Sequence, residues 1–141
     1  MKRIIHNLVQ AALFITTFLF VTTHSTNAQP VIGFTSFISG LSSPVDIVNA
    51  GDGTNRLFIV EQGGTIRIHN GSSLLATPFL NISTIITPGG ERGLLSMAFH
   101  PNYENNRYFF VYYNNLSGDI TLARYQTQAG NPIEADAGSG V

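Results

Sequence analysis

The chain has 141 residues, of which seven are basic and eight acidic, and it contains no cysteine. Disulfide bonds are therefore excluded, and packing must stabilise the fold. The formal net charge of −1 excludes the strong positive balance expected of a nucleic-acid-binding chain.

The N-terminus has the pattern of a signal peptide. Lys2 and Arg3 supply positive charge, residues 11–21 are apolar, and residues 26–28 end in a small residue. The apolar run is shorter than the roughly 18 to 20 residues that span a bilayer. We expect cleavage after Ala28, a secreted or periplasmic product without a membrane span, and one folded domain in residues 29–141. The cleaved chain would have five arginines and eight acidic residues, a net charge of −3, which argues against nucleic-acid or anionic-membrane partners.

The remaining sequence has the composition of an all-β protein, because aromatic and β-branched residues alternate with short runs of Gly, Asn, Asp, Ser and Pro. Gly63-Gly64 and Asn70-Gly71 predict tight turns, and residues 116–119 predict a longer loop. No helix is predicted beyond one turn near Ile82–Ile86. The predicted strands are Pro44–Asn49, Arg56–Glu61, Thr65–His69, Leu74–Leu80, Leu94–His100, Tyr108–Tyr113 and Ile120–Tyr125.

Two segments of the chain resemble each other. Residues 54–71 and 105–126 share an Asn-Arg entry, an apolar strand, a Gly-containing turn and a strand with Thr and Arg, and Arg56 and Arg107 lie 51 residues apart. A period near 50 with about four strands per unit is typical of propeller blades. The alternative is a chance likeness between aromatic strands.

A propeller needs about four to eight blades to close, and this chain can supply one and a half to two. The tail, residues 130–141, is polar and contains no predicted strand. We therefore expect the N-terminal part of a longer protein, a partial β-propeller. A small stand-alone β domain is the alternative.

Glu91 and Arg92 precede the apolar strand from Leu94, which we expect to be the innermost strand of a blade. A carboxylate there would face the central funnel and could accept a hydrogen bond from a substrate hydroxyl or hold a cation. The alternative is an exposed loop in which Arg92 pairs with a neighbouring acid.

The other polar residues favour structural roles. Pro101 restricts His100 to extended geometry, and a hydrogen-bonding role in the blade turn is favoured over a base. His69 is expected to face solvent, and residues 49–55 to form a turn, because one acid is too few for a calcium loop. No metal-ligand spacing or nucleotide-binding motif is present. Asn70, Asn81 and Asn115 begin glycosylation patterns.

Four stretches carry a specific resemblance: "GLSSPVDIV" at 40–48, "RLFIVEQGGTIRI" at 56–68, "GGERGLLSMAFHPNYENNRYFFVYY" at 89–113 and "ITLARYQ" at 120–126. Together they resemble the N-terminal part of the glucose/sorbosone dehydrogenase family over about residues 37–137. The resemblance implies a six-bladed β-propeller that oxidises the anomeric hydroxyl of a sugar with pyrroloquinoline quinone (PQQ) and calcium.

The resemblance places the catalytic histidine and the ligands of quinone and calcium in later blades, so no catalytic, cofactor-binding or metal residue is assigned here. Only Glu91 matches a family position near the sugar substrate. Glucose dehydrogenases commonly have glutamine there, which both donates and accepts hydrogen bonds, so the glutamate argues against glucose itself. Non-catalytic relatives, similar to hedgehog-interacting proteins, use the same propeller to bind another protein, and the fold alone does not choose between them.

Overall fold

The described residues form two four-stranded antiparallel sheets in the computed structural model. The structure describes Ile4 and residues 29–141, and Ser36–Val141 form one compact unit. The predicted signal peptide, residues 1–28, lies outside the described residues apart from Ile4. The first sheet contains β1 (Pro44–Asn49), β2 (Leu57–Glu61), β3 (Thr65–His69) and β4 (Leu80–Asn81). The second contains β5 (Leu94–Phe99), β6 (Tyr108–Asn114), β7 (Ile120–Thr127) and β8 (Ala135–Asp136).

Each sheet runs in sequence order, so every strand pairs with the strands before and after it. A single helical turn, α1 (Tyr103–Asn106), lies between β5 and β6, and a 3₁₀ turn, Ala137–Ser139, follows β8. Among the described residues no helix has the length and apolar character needed to cross a membrane.

Aromatic side chains join the two sheets. Alternate residues of β2 and β6 point into the core, with Phe58, Val60, Phe109 and Val111 fully buried. The Phe58 ring lies 4.9 Å from that of Phe79 and 4.7 Å from that of Phe99, in edge-to-face arrangements that aromatic pairs favour. The core therefore lies between the sheets.

The structure confirms the repeat seen in the sequence. Arg56 and Arg107 each precede the second strand of a sheet, 51 residues apart. The same spacing relates two loop hydrogen bonds: the Asn49 side chain accepts from the Gly51 amide at 2.8 Å, and His100 Nδ1 accepts from the Asn102 amide at 3.0 Å. Each sheet is one blade, so the chain supplies two blades.

Two strand predictions were wrong. Leu74–Leu80 is not one strand, because Ile68 and Ile66 accept from the amides of Leu75 and Phe79 and the residues between them loop out. Pro78 in that loop has no amide hydrogen to donate. The tail does contain a strand, β8, which pairs with Gln126 and Thr127 and completes the second blade. Its two residues are too few to show alternation.

The first hairpin also differs from its prediction. The loop between β2 and β3 is Gln62–Gly64, and only Gly64, at φ 105°, has a positive φ in the Gly63-Gly64 pair. The other strands agree with the sequence to within two residues at each end.

The order of the strands places the loops at two ends of the blades. At the entrance end, where β1 and β5 begin, lie the β2–β3 turn, residues 82–93 and the β6–β7 loop. At the exit end, where β1 and β5 end, lie residues 50–56, 70–79, 100–107 and 128–134. β1 and β5, the first strands of the two blades, lie side by side, and the Met97 amide donates to Asp46 Oδ2 at 3.4 Å.

Candidate functional site at the entrance of strand β5

A tight turn carries Glu91. The amide of Gly89 donates to the carbonyl of Arg92 at 3.0 Å, and the amide of Arg92 donates back to Gly89 at 3.1 Å. Gly90, at φ 58°, occupies the first central position of this turn, where glycine is favoured. Glu91 follows at the second, with its side chain exposed.

Gln62, a residue of the preceding blade, fixes that turn. Its Nε2 donates to the carbonyls of Gly90 at 2.7 Å and Arg92 at 3.0 Å, and its backbone carbonyl accepts from the Leu94 amide at 3.0 Å. Gly93 lies against it with φ 141°, and a Cβ on Gly93 would overlap the Gln62 carbonyl. Glycine is therefore required at 93 because the two blades meet there through their backbones.

The β6–β7 loop supports the same turn from the other side. Asn114 Oδ1 accepts from the Gly93 amide at 3.3 Å, and Asn114 Nδ2 donates to the Gly118 carbonyl at 3.2 Å. Asn114 is buried, so these bonds are shielded from water. Two loops, one from each blade, thus hold a preorganised turn with Glu91 at its tip.

Both charges of the turn remain available to a ligand. Within residues 29–141 the only ion pair joins Arg56 and Asp52, so Arg92 does not pair with a neighbouring acid as one interpretation of the sequence proposed. The Arg92 guanidinium instead lies beside Gly118 in the β6–β7 loop. Neither Glu91 nor Arg92 uses its charged group in a hydrogen bond to another described residue.

His69 and His100 lie at the exit end, away from Glu91. His100 Nδ1 contacts the Asn102 amide and Asn106 Nδ2 at 3.0 and 2.8 Å, which confirms its structural role in the blade turn. His69 is buried, so the prediction that it faces solvent was wrong. Its ring packs 5.1 Å from that of Phe37, a contact between distant residues that strand alternation does not reveal. No group of three His, Asp or Glu side chains converges within the described part of the chain.

A cleft of about 630 Å³ opens at the exit end between the two blades. The polar wall of this cleft contains Asp52, Thr54 and Arg56. Arg56 Nη2 lies 2.6 Å from Asp52 Oδ2, and Arg56 Nε donates to Thr54 Oγ1 at 2.8 Å. Burial opposes ionisation of Asp52, but hydrogen bonds from Thr54 and Arg56 and the Arg56 charge lower its pKa below the ordinary value.

Tyr103 and Thr127 form the deeper wall of this cleft. The Tyr103 hydroxyl lies 2.7 Å from Thr127 Oγ1, and burial raises the pKa of Tyr103 while this hydrogen bond partly opposes the rise. The sequence showed the two arginines of this cleft, Arg56 and Arg107, only as markers of the repeat. It gave no sign that they meet in one cleft.

The sheets, their order and their packing define the chain as part of a β-propeller. The family model described as Glucose / Sorbosone dehydrogenase matches residues 41–134, and the chain belongs to that family.

Relatives of two kinds are similar to the chain. Hedgehog-interacting protein is 44% identical over 81 residues in Mus musculus and 42% identical in Homo sapiens, and in each case the match covers 54% of this chain and 12% of that protein. The PQQ-bound form of aldose sugar dehydrogenase from Streptomyces coelicolor matches with a TM-score of 0.59 at 22% identity, over 71% of this chain and 30% of that one. This second likeness establishes the fold. The chain thus corresponds to about an eighth of the length of the curated relatives it matches.

Proposed function

We propose that this chain forms the first two blades of an exported sugar or aldose dehydrogenase that uses PQQ and calcium. The observation that supports the proposal best is the braced turn at the entrance of β5, which presents a free carboxylate just before the first strand of the second blade. The family membership and the PQQ-bound structural neighbour support the class of reaction.

Glu91 has the role of a substrate-binding residue in this proposal. An ionised carboxylate accepts hydrogen bonds from sugar hydroxyls but donates none, so Glu91 favours a sugar that places a donating hydroxyl group at this position. Because two loops fix the turn, little conformational freedom is lost when the sugar binds. The sugar is therefore an aldose other than glucose, whose dehydrogenases commonly carry glutamine at this position.

We infer that the calcium and quinone sites lie outside this chain. Calcium takes about six to eight oxygen ligands, whereas no cluster of acidic side chains is present in residues 29–141. The proposal accordingly assigns both groups, and the base that removes the hydroxyl proton, to blades outside this chain. The residues of this chain bind and orient the sugar.

The test uses the full-length protein that contains this chain, supplied with PQQ and calcium, and follows sugar-dependent reduction of an electron-accepting dye. We expect turnover with aldoses, which a calcium chelator abolishes. The isolated 141-residue chain is the control and should show no turnover. A full-length protein that neither binds the quinone nor oxidises any aldose would contradict the proposal.

A second candidate function is protein binding without redox chemistry. It is favoured by the 44% identity to hedgehog-interacting protein, which is twice the 22% identity to the aldose sugar dehydrogenase. The same assay separates the two functions, because a binding propeller leaves the dye oxidised and takes up no quinone. Quinone uptake with turnover would exclude this alternative.

A further inference from the structure

The loop after β3 carries an asparagine followed by a glycine, next to a buried histidine. Asn70 and Gly71 are exposed, whereas His69 retains only 6% of its accessible surface. The Asn70 amide donates to the Ser73 carbonyl at 3.1 Å and closes the loop. The side chain of Asn70 is thus held on a fixed backbone.

Two backbone amides bind the side-chain carbonyl of Asn70. Oδ1 accepts from the amides of Ser72 at 3.0 Å and Ser73 at 2.9 Å. This arrangement turns the side chain back over the Gly71 peptide. It also stabilises negative charge on Oδ1, as a pair of amides does in an oxyanion hole.

The amide nitrogen of Gly71 faces a base. It donates to His69 Nδ1 at 3.3 Å, so the lone pair of Nδ1 points at the amide hydrogen and the proton of the neutral ring is on Nε2. Gly71 has no side chain to hinder approach to its nitrogen, and the space where a Cβ would stand is open. The nucleophile, the base and the stabilised carbonyl therefore meet within three consecutive residues.

We propose that Asn70 is a site of self-catalysed deamidation in which His69 is the base. The Gly71 nitrogen attacks Asn70 Cγ and gives its proton to His69 Nδ1, while the Ser72 and Ser73 amides stabilise the charge on Oδ1. The bond from Cγ to Nδ2 then breaks, and Nδ2 leaves as ammonia with the proton from His69. Water opens the resulting succinimide to aspartate or isoaspartate, and the new carboxyl group gives its proton to the ammonia, so one amide and one water give one carboxylate and one ammonium ion.

The chain contains a matched comparison at Asn115. Its Oδ1 also accepts two backbone amide hydrogens, from Ser117 at 2.9 Å and Asp119 at 3.0 Å. The next residue is Leu116, whose side chain hinders the nitrogen, and residue 114 is an asparagine with no basic ring nitrogen. Asn115 therefore shares the polarised carbonyl with Asn70 but lacks the base and the free nucleophile.

The experiment incubates the bacterially expressed 141-residue chain in buffer and follows both asparagines by peptide mass spectrometry. A bacterial host leaves Asn70 without the glycan that the Asn-Gly-Ser pattern could receive. We expect Asn70 to convert at least about tenfold faster than Asn115, and about tenfold faster in the native chain than in urea, since a positioned base accelerates proton transfer by this much or more.

The His69→Phe variant keeps an aromatic ring against Phe37 and removes the base. It should slow conversion of Asn70 in the native chain to the rate measured in urea. Equal rates in the native variant and the native parent would overturn the role of His69, and slower conversion of Asn70 in the native chain than in urea would overturn the proposal. If the variant does not fold, the comparison of native and unfolded parent decides.

Discussion

At Gly93 the backbones of the two blades approach so closely that a side chain does not fit. A Gly93→Ala substitution places a Cβ against the Gln62 carbonyl, at a φ of 141° that alanine rarely adopts. We expect it to lower the free energy of unfolding by about 3 kcal/mol, near the upper end of ordinary substitutions. Urea unfolding followed by circular dichroism measures the change.

Gly89→Ala is the matched control. Gly89 has a comparable φ of 120°, but no atom lies within 4 Å of its added Cβ. It should lower the free energy of unfolding by only about 1 kcal/mol, the strain of a positive φ alone. Equal losses in the two variants would show that the blades do not meet at Gly93.

Asp52 makes stability depend on pH. Its pKa is lowered in the folded chain, so the unfolded chain takes up the proton first as the pH falls. The stabilisation is therefore fully present at neutral pH and is lost as the pH falls below the ordinary value of 3.8. We expect Asp52→Asn to lower the free energy of unfolding by about 1 kcal/mol at neutral pH, because solvent screening at this partly exposed carboxyl group reduces the contribution of its charged hydrogen bonds. The variant should also lose less stability than the parent chain as the pH falls. Urea midpoints between neutral and acidic pH test this.

Asp119→Asn is the control for that series. Asp119 is exposed and forms no ion pair with another described residue. The Asp119→Asn variant should lose stability at acidic pH to the same extent as the parent chain. The account of Asp52 fails if both variants show the same dependence on pH.

Individual residues differed in how far the sequence could predict them. His100 was predicted as structural because Pro101 fixes its backbone, and its loop hydrogen bonds agree. The burial of His69 depends on its contact with Phe37, and Gln62 supports the turn of residues 89–92 by donating to the Arg92 carbonyl. In both cases the partner lies far away along the chain. Local alternation carries no information on such contacts.

The turn of residues 89–92 is rigid only while Gln62 holds it. Gln62→Ala removes two hydrogen bonds from its Nε2, each contributing about 1 kcal/mol. We expect the Arg92 amide, which bonds Gly89 across the turn, to exchange with deuterium about tenfold faster. Gln128→Ala at the exit end should leave that rate unchanged. An unchanged Arg92 rate in Gln62→Ala would show that the turn is rigid on its own.

The strands were predicted well where buried and partly buried residues alternate over four or more positions, as in β3 and β6. The prediction failed for β4 and β8, each of two residues, because contacts with neighbouring strands determine where they form. β4 forms where Phe79 and Leu80 meet β3, and the Ala135 amide of β8 donates to the Phe79 carbonyl. Short outer strands therefore follow from tertiary contacts rather than from their own pattern.

On the scale of the whole molecule, one aromatic cluster makes the two blades a single folding unit. Phe58 is fully buried and contacts Phe79 in its own blade and Phe99 in the next. We expect Phe58→Ala to lower the free energy of unfolding by about 3 to 5 kcal/mol. Both blades should lose structure in one transition, observed as coincident fluorescence and circular dichroism curves.

Leu122→Ala serves as the control for the cluster. Its side chain on β7 is 68% exposed, so truncation should change the free energy of unfolding by less than about 0.5 kcal/mol. Two separate transitions in Phe58→Ala would instead mean that each blade is stable without the other.

The two ends of the blades have different roles in the proposed enzyme, and the kinetics of Glu91 test this most directly. In the full-length protein Glu91→Ala should raise KM for the aldose about tenfold with little change in kcat, because one hydrogen bond to a charged group is lost in both ground and transition state. Glu104→Ala, an exposed carboxylate at the exit end, should leave both constants unchanged. An unchanged KM in Glu91→Ala would contradict the assignment of the sugar to the entrance of β5.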